Sequence, residues 1–499
     1  MNRDQYQDLM VYEIYPTSFC DSDDDGTGDL KGITGKLGYI RELGFNAVWL
    51  NPFYCSPFRD GGYDIAGFFD VDPRFGTLDD ARELMTQAHA LGLKVFLDLV
   101  AGHASVDNAE FRRSAEAERN EYSDLFVWNN SVWDSEPGLR LISGMYPRHA
   151  CYLVNFFAHQ PAFNYGFNRI DYPWQMSYRD ERTKQAREYM LQVMRFWLDL
   201  GADGFRVDMA DSLVKNDDDK QATIELWQDM FTTIRREYPD VFFVSEWSDP
   251  AQALKAGFDA DFVLDHWDNW YHRMVRSKAD TRGLSVFDGA DPEYALNDMK
   301  QRFAEAERYG AMLGLISGNH DSPRIADFLD DAGLRMFYLM LFTLPGVPFV
   351  LYGDELGMKT ADLPSKDGGY QRTGTRIPMI WDDTLPYHGF SKTSGEPYLP
   401  FDERNKVSAA AAMQDDHSLY HYIKQLTALR KEIPALTKPG LEITENGRVL
   451  TFRRPEGYCL VLNLSEKPYH LNGDAVFVSR EITEELPPYS GALIQIKED

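Results

Sequence analysis

The stretch DGFRVDMADS, Asp203 to Ser212, has charges where a buried strand should have none. Gly204, Phe205, Val207 and Met209 suit a strand covered on both faces, as in a parallel sheet. Arg206 and Asp208 break that pattern. Side chains two apart on a strand point the same way, so these two share a face. Desolvating a charge costs roughly several kcal/mol unless it is paired. A strand that is apolar in its body and charged at its carboxyl end therefore faces a polar pocket there.

The surroundings of this strand repeat. β-rich runs begin at Val11 (VYEIYP), Ala47 (AVWL), Lys94 (KVFLDLV), Gly204 (GFRVDM), Val241 (VFFVSEW), Asp261 (DFVLDH), Met312 (MLGLISG) and Pro348 (PFVLYGDE). Amphipathic helices lie between most of them. The clearest, ERTKQAREYMLQVMRFWLDLG, has Ala186, Met190, Val193, Trp197 and Leu200 on a 3.6-residue period and ends at Gly201. Another runs from an N-cap at Thr77 to Gly92. Eight such units in order predict an α/β fold, a (β/α)8 TIM barrel, over residues 1–101 and 181–436. The third unit is interrupted by a long Asn-, Pro- and aromatic-rich stretch, read as an inserted domain over residues 102–180. Alternating segments RVLTFRR, CLVLNLS and ALIQIKE predict a small antiparallel β domain over residues 437–499.

Composition narrows the partners. The 79 acidic residues against 51 basic ones give a net charge of -28, which argues against nucleic acid and anionic membranes. No run of 18 apolar residues exists, and MNRDQYQDLMVYEIYP lacks the apolar core of a secretory leader. Cys20, Cys55, Cys151 and Cys459 have neither disulfide-framework nor zinc spacing, so a reducing cytoplasm is expected. Aromatic residues make up 14% of the chain, enough either for an aromatic core or for rings that stack on sugars.

A barrel collects its chemistry at the carboxyl ends of its strands. Asp98 lies late in the third strand with His103 just beyond it, Arg206 and Asp208 lie late in the fourth, and Glu246 closes the fifth. Asn319, His320 and Asp321 follow the seventh. A buried ion-pair network could explain one such pair. Carboxylates at three strand ends, with two histidines and an arginine, point to catalysis. Glycoside hydrolysis needs one carboxylate that attacks or activates water and one acid that protonates the leaving oxygen. Arg206 is expected to keep Asp208 ionised as a nucleophile. Glu246, beside Trp247, is expected in apolar surroundings that favour its protonated form.

The motifs GFNAVWLNP, GGYDIAGFFDVDPRFGT, LDLVAGH, GFRVDMA, VSEW, SGNHD and GVPFVLYGDELGM occur in this order along the chain. Together they resemble the α-amylase superfamily, glycoside hydrolase family 13. The resemblance implies a barrel, a domain inserted after strand three and a C-terminal β-sandwich. It implies Asp208 as nucleophile, Glu246 as acid/base and Asp321 as transition-state stabiliser. It implies that Tyr63, Asp64, His103, Arg206 and His320 hold the reacting sugar, and that the mechanism is retaining. RIPMIWDD, from Arg376 to Asp383, and Arg324 in NHDSPR are similar to motifs of the oligo-1,6-glucosidase group. By the same resemblance, Met209, after the nucleophile, stands where relatives cutting α-1,6 bonds commonly carry Val and strict α-1,4 enzymes commonly carry Ala or Thr.

DSDDDGTGD, Asp21 to Asp29, has the rhythm of an oxygen-ligand loop: Asp21, Asp23, Asp25, the carbonyl of Thr27, then Asp29. Gly32 occupies the position where an EF-hand needs Glu, so this is not an EF-hand. It resembles the calcium loop of oligo-1,6-glucosidase-like members, which implies one structural Ca2+ and no organic cofactor. Many α-amylases hold another calcium through an Asn and a His; here those positions are Gly102 and Ser212, so that site is not expected. Three functions compete: an exo-acting α-glucosidase on short malto- or isomalto-oligosaccharides, an endo-α-amylase or α-glucan transglycosidase, and a non-enzymatic transporter-associated relative. The complete carboxylate set and the lack of a membrane span argue against the third; the changed calcium positions, RIPMIWDD and Arg324 tilt toward enzymes of short oligosaccharides, while exo and endo action are not separated by the sequence.

Overall fold

The computed structural model describes residues 6–266, 269–277, 283–368, 371–482 and 485–496. Eight parallel strands close into a barrel: β1 (Val11–Ile14), β2 (Ala47–Leu50), β3 (Lys94–Leu99), β4 (Gly204–Val207), β5 (Phe242–Ser245), β6 (Ala260–Val263), β7 (Met312–Ile316) and β8 (Val347–Leu351). Each strand pairs with its neighbours in sequence, and β8 closes against β1. All eight expected runs are strands of this barrel, with starts shifted by at most one residue. At Gly204 the chains crowd: an added Cβ would lie 2.1 Å from the Phe242 carbonyl oxygen, which only glycine allows.

Side-chain parity divides the barrel. Trp49, Phe262 and Phe349 point inward, with ring centroids 4.7–6.3 Å apart. Phe243 points outward and meets Phe231 of the flanking helix at 4.4 Å. Alternation then turns Arg206, Asp208, Val244 and Glu246 inward, and Ser245 and Asp261 outward.

The main helices are α1 (Leu30–Leu43), α2 (Leu78–Ala90), α3 (Lys184–Leu200), α4 (Gln221–Glu237), α5 (Glu293–Arg308), α6 (Asp331–Thr343) and α7 (Leu419–Glu432). Thr77 caps α2 as expected, and Asp80 returns the bond to the Thr77 N–H, completing a capping box. Helix α6 is apolar nearly all round because it is covered twice, by the barrel and by the C-terminal sheet.

Within residues 102–180 lie a short helix, Ala109–Ser114, and a two-stranded ribbon, Leu141–Ser143 with Cys151–Leu153. Phe111 sits among Phe126, Trp128, Tyr146 and Tyr152, with centroids 5.1–5.6 Å away. Much of the aromatic content of this segment is therefore core. The C-terminal sheet holds β9 (Glu442–Asn446), β10 (Val449–Arg453), β11 (Tyr458–Asn463), β12 (Asp474–Val478) and β13 (Ser490–Gln495), antiparallel, in the order β9-β10-β11-β13-β12. Val449, Cys459, Val461, Ala492 and Ile494 form a second small core on this sheet with Leu486. Among the described residues, no helix is long and apolar enough to cross a membrane.

Candidate active site

Arg206 is the hub of the barrel mouth. It is 1% exposed, and its Nη1 donates to Asp98 Oδ1 and, at 3.0 Å, to Asp208 Oδ1. Its Nη2 lies 2.8 Å from Glu246 Oε1. Trp49 and Tyr63 flank the guanidinium, with centroids 5.2 and 5.7 Å away. One cation thus joins three carboxylates from the ends of β3, β4 and β5. Asp98 is further held by Trp49 Nε1 (2.9 Å) and the Tyr63 hydroxyl (3.0 Å). The charges in the opening strand are paired, as their burial requires.

Asp208 and Glu246 differ from the sequence-based expectation. Burial, and next the Glu246 carboxylate, push Asp208 well above the usual carboxylate range, against the pull of Arg206. Glu246 is not in apolar surroundings: its oxygens receive Arg206 Nη2 and the Met209 N–H at 2.9 Å. The reason is backbone geometry. Met209 adopts a left-handed conformation, φ 42° and ψ 47°, which ends the strand and aims its N–H at Glu246. Asp208 and Glu246 therefore share one guanidinium, and the Glu246 carboxylate lies near enough to bear on Asp208.

Asp321 faces this pair from the end of β7. Burial alone would raise it, but His320, Arg376 and Arg206 together hold it below the usual carboxylate range. Arg376 donates to Asp321 Oδ1, and Arg372 reaches both of its oxygens at 3.1 Å. Arg372 also bonds Asp60, and Asp60 accepts from Gln160 at 2.6 Å. This ion-paired wall closes one side of a cavity of about 510 Å³, whose lining includes Asp208, Glu246, Asp321, Trp247 and Phe156.

Of the residues expected to hold a sugar, Tyr63, His103 and Met209 line this cavity. Burial lowers His103 to about 3, so it is neutral; it bonds the Tyr63 carbonyl at 3.1 Å. Arg206 and His320 stand behind the lining. The His320 ring stacks on Tyr63, and its Nδ1 lies 2.7 Å from Glu13 Oε1. Asp64 and Arg324 are turned elsewhere. Asp64 accepts from Ser56 Oγ and from the Asp60 and Arg59 N–H groups, which shapes the loop that presents Asp60. Arg324, 0% exposed, is spent on Asp354, the Tyr352 carbonyl and the Thr375 carbonyl. Glu13, Asn51, Asp60 and Arg372 were not anticipated. Their partners lie up to 312 positions away in sequence, and no local pattern marks them.

The acidic loop lies apart from the cavity. Carboxylate oxygens of Asp21, Asp23 and Asp29 fall within 4.8 Å of one another, a donor set suited to a hard cation. Asp25 lies outside this group, its Oδ1 taken by the Thr27 N–H at 2.7 Å. Asp29 also caps α1 through the Gly32 N–H. Burial, then Asp25, raise Asp23, as expected for crowded carboxylates without a counter-charge. Near Gly102 and Ser212 the structure places an ammonium: Lys215 Nζ bonds Asn155 Oδ1 (2.7 Å) and the Ser212 carbonyl. Burial lowers Lys215 to about 7.

Comparison with known proteins agrees with this architecture. The family model described as alpha amylase, catalytic domain, matches residues 13–439. A probable alpha-glucosidase of Rhizobium meliloti is 30% identical over an alignment of 529 residues, covering 93% of this chain and 90% of the relative. Maltase A2 of Drosophila melanogaster is 31% identical over 429 residues, covering 76% and 70%. An oligo-1,6-glucosidase of Parageobacillus thermoglucosidasius is 29% identical over 558 residues, covering 97% and 94%. The crystal structure of a trehalulose synthase from Pseudomonas mesoacidophila shares the fold at a TM-score of 0.82 and 24% identity, over 99% of each chain. With a closed barrel, a mouth of carboxylates gathered on Arg206 and a matching family model, the chain belongs to the alpha-amylase family of glycoside hydrolases and is an enzyme acting on α-glucosidic bonds.

Proposed function

We propose that this enzyme releases glucose from the ends of short malto- and isomalto-oligosaccharides, as an exo-acting α-glucosidase with a retaining mechanism. One observation carries the reading: two carboxylates share a single guanidinium at the floor of a cavity closed on one side by the Asp60–Arg372–Asp321 wall. Sharing Arg206 favours the short separation, ~5–5.5 Å, that direct attack needs, over the wider gap that admits a water. Asp208 attacks the anomeric carbon while Glu246 gives its proton to the departing oxygen. Glu246 then takes a proton from water, which cleaves the Asp208 ester. Asp321, kept ionised by His320 and Arg376, faces the cation-like sugar of both transition states. The exo reading supposes that this wall stops a glucan chain from running on beyond the reacting sugar. Four free cysteines suit a reducing cytoplasm, the compartment we infer for it.

Product analysis on maltose, isomaltose, maltoheptaose and trehalose tests this, with the anomer released first read by NMR. Glucose released first as the α-anomer from the two disaccharides, with little action on starch, is expected. Rapid mid-chain cleavage of starch favours an endo-amylase instead. Met209 lines the cavity next to Asp208 and is both long and flexible, so we expect a relaxed linkage preference. Met209→Ala is expected to raise the α-1,4 to α-1,6 ratio of kcat/KM, by about 1–3 kcal/mol at most for one pocket contact. An unchanged ratio removes Met209 from linkage selection.

We further propose that Asp21, Asp23 and Asp29, with the Thr27 carbonyl, hold one Ca2+ that stabilises the fold without entering the chemistry. The loop is tied to residues 390–398: Asp21 accepts from Ser391 Oγ, and the Gly26 carbonyl accepts from the Tyr398 N–H at 2.8 Å. A cation there fastens both segments to the start of α1. Chelation is expected to lower Tm, and Ca2+ at a hundredfold excess over Kd to restore about 2.7 kcal/mol. A Tm indifferent to chelator and to added Ca2+ rejects the site.

A further inference from the structure

Asp261 is a buried carboxylate that the proposed chemistry leaves unused. It is 0% exposed and belongs to β6, on the outer side of the barrel wall. No sugar in the cavity reaches it, because the strands stand between. Burying a carboxylate costs free energy unless its bonds are worth keeping. Its bonds are both made to one short turn. Oδ1 accepts from Ser245 Oγ at 2.7 Å and from the Ser248 N–H at 3.1 Å. Those two residues bracket Glu246 and Trp247. Oδ2 has no partner, so the whole hydrogen-bonding investment of the group lies in this turn.

The turn needs fastening. Ser248 has φ +60°, the left-handed region that a non-glycine residue enters at a cost. The bond from its N–H to Asp261 helps hold it there. Ser248 Oγ accepts from the Leu264 N–H at 3.3 Å, and its carbonyl accepts from Arg302 at 2.9 Å. Glu246 projects inward from the middle of this clamped turn, its carboxylate aimed at Arg206 and the Met209 N–H. Other charges near Asp261 are few: Arg302 lowers it, Asp249 raises it, and burial, the largest influence, lifts it to about 7. The oxygen that binds Ser245 and Ser248 accepts in either protonation state, so the clamp persists across that range.

We propose that Asp261 is a positioning residue for the acid/base, holding the Ser245–Ser248 turn so that the Glu246 carboxyl points at the leaving-group oxygen. This rests on the reading of Glu246 as the proton donor. Such a residue matters most when the departing group must be protonated, whereas a purely structural loss slows all substrates alike.

The test compares maltose, a poor leaving group, with an aryl α-glucoside that leaves without a proton. Asp261→Ala is expected to lower kcat/KM on maltose by about 10²-fold, the scale of a small misplacement of a reacting group, with much less effect on the aryl glucoside. Asp261→Asn keeps an acceptor oxygen for Ser245 and Ser248 and is expected to restore most of the maltose activity. Should the alanine variant fail to fold, Ser245→Ala, which removes one of the two bonds to Asp261, takes its place: a loss confined to maltose is expected, and equal losses on both substrates overturn the proposal. Equal losses on both substrates in a folded variant overturn the proposal, as does a folded Asn variant selectively impaired on maltose as severely as Ala. Glu246→Gln is measured beside them. If that variant slows both substrates equally, the reading of Glu246 itself fails. If it discriminates and Asp261→Ala does not, only the positioning role fails.

Discussion

Asp208→Asn should abolish turnover and leave the protein at least as stable as before. The loss follows from the attacking atom. An amide oxygen does not form the glycosyl ester, and removing a nucleophile typically costs roughly 10⁴-fold or more in kcat. The stability follows from the balance of charges at the barrel mouth. Burial and Glu246 raise Asp208 well above its ordinary value. For a carboxyl the sign is then fixed. A folded-state value above the unfolded one, ~3.9, means that stability is lost as pH rises through the unfolded value, and that the loss is complete above the folded one. At neutral pH Asp208 therefore destabilises the fold. Asparagine removes that charge and keeps an oxygen to accept from Arg206 Nη1 at the same place. Residual activity and Tm are measured together. Wild-type-like turnover in a clean preparation would falsify the nucleophile. A folded but markedly less stable variant contradicts the account of the charges.

The same charges show what a sequence reveals and what it conceals. The eight strands were legible because each is a short apolar run bounded by a helix period. Arg206 and Asp208 were legible because they violate such a run. Thr77 could be named as a cap because capping is local. The wall of the cavity had no comparable signal. Asp60, Gln160 and Arg372 come from three separate loops, and only the closed barrel brings them together. Asp64 and Arg324 sit beside residues that do reach the cavity, yet their side chains face inward to loop backbone and to Asp354. Position in a motif placed them near the site; orientation, which depends on the turn, decided their contacts. Asp261 was hidden differently. It was read as the first residue of a strand, and nothing in DFVLDH distinguishes a solvent-facing Asp from one buried behind a catalytic turn. Glu246 shows the limit of neighbour-based chemistry. Trp247 follows it in sequence, but the atoms that touch its carboxylate belong to Arg206 and Met209.

Arg206→Met is expected to destabilise the fold by about 3–5 kcal/mol, the range for removing one partner of a buried ion pair. Arg206 touches Asp98, Asp208 and Glu246 at once, and methionine fills much of its volume without its charge. Size is therefore not the main variable. The trp-tyrosine slot that flanks the guanidinium accepts a thioether, so the apolar part of the site survives. The electrostatic loss has a pH signature. Arg206 is the strongest influence lowering Asp208, so its removal moves Asp208 further upward and widens the window in which the ionised carboxyl opposes folding. The variant should lie nearest the wild type in acid, where the carboxyls carry protons in both states, and fall away as pH rises. Unfolding followed by calorimetry from acid to mildly alkaline pH checks this. A gap of constant size would assign the loss to packing. Adding Asp208→Asn to Arg206→Met should recover part of the stability at neutral pH, because one of the three uncompensated carboxylates is gone. Such a recovery ties the two residues of the opening strand to one electrostatic cause: Arg206 balances the carboxylates gathered around it, and Asp208 is tolerated in the strand because Arg206 is there.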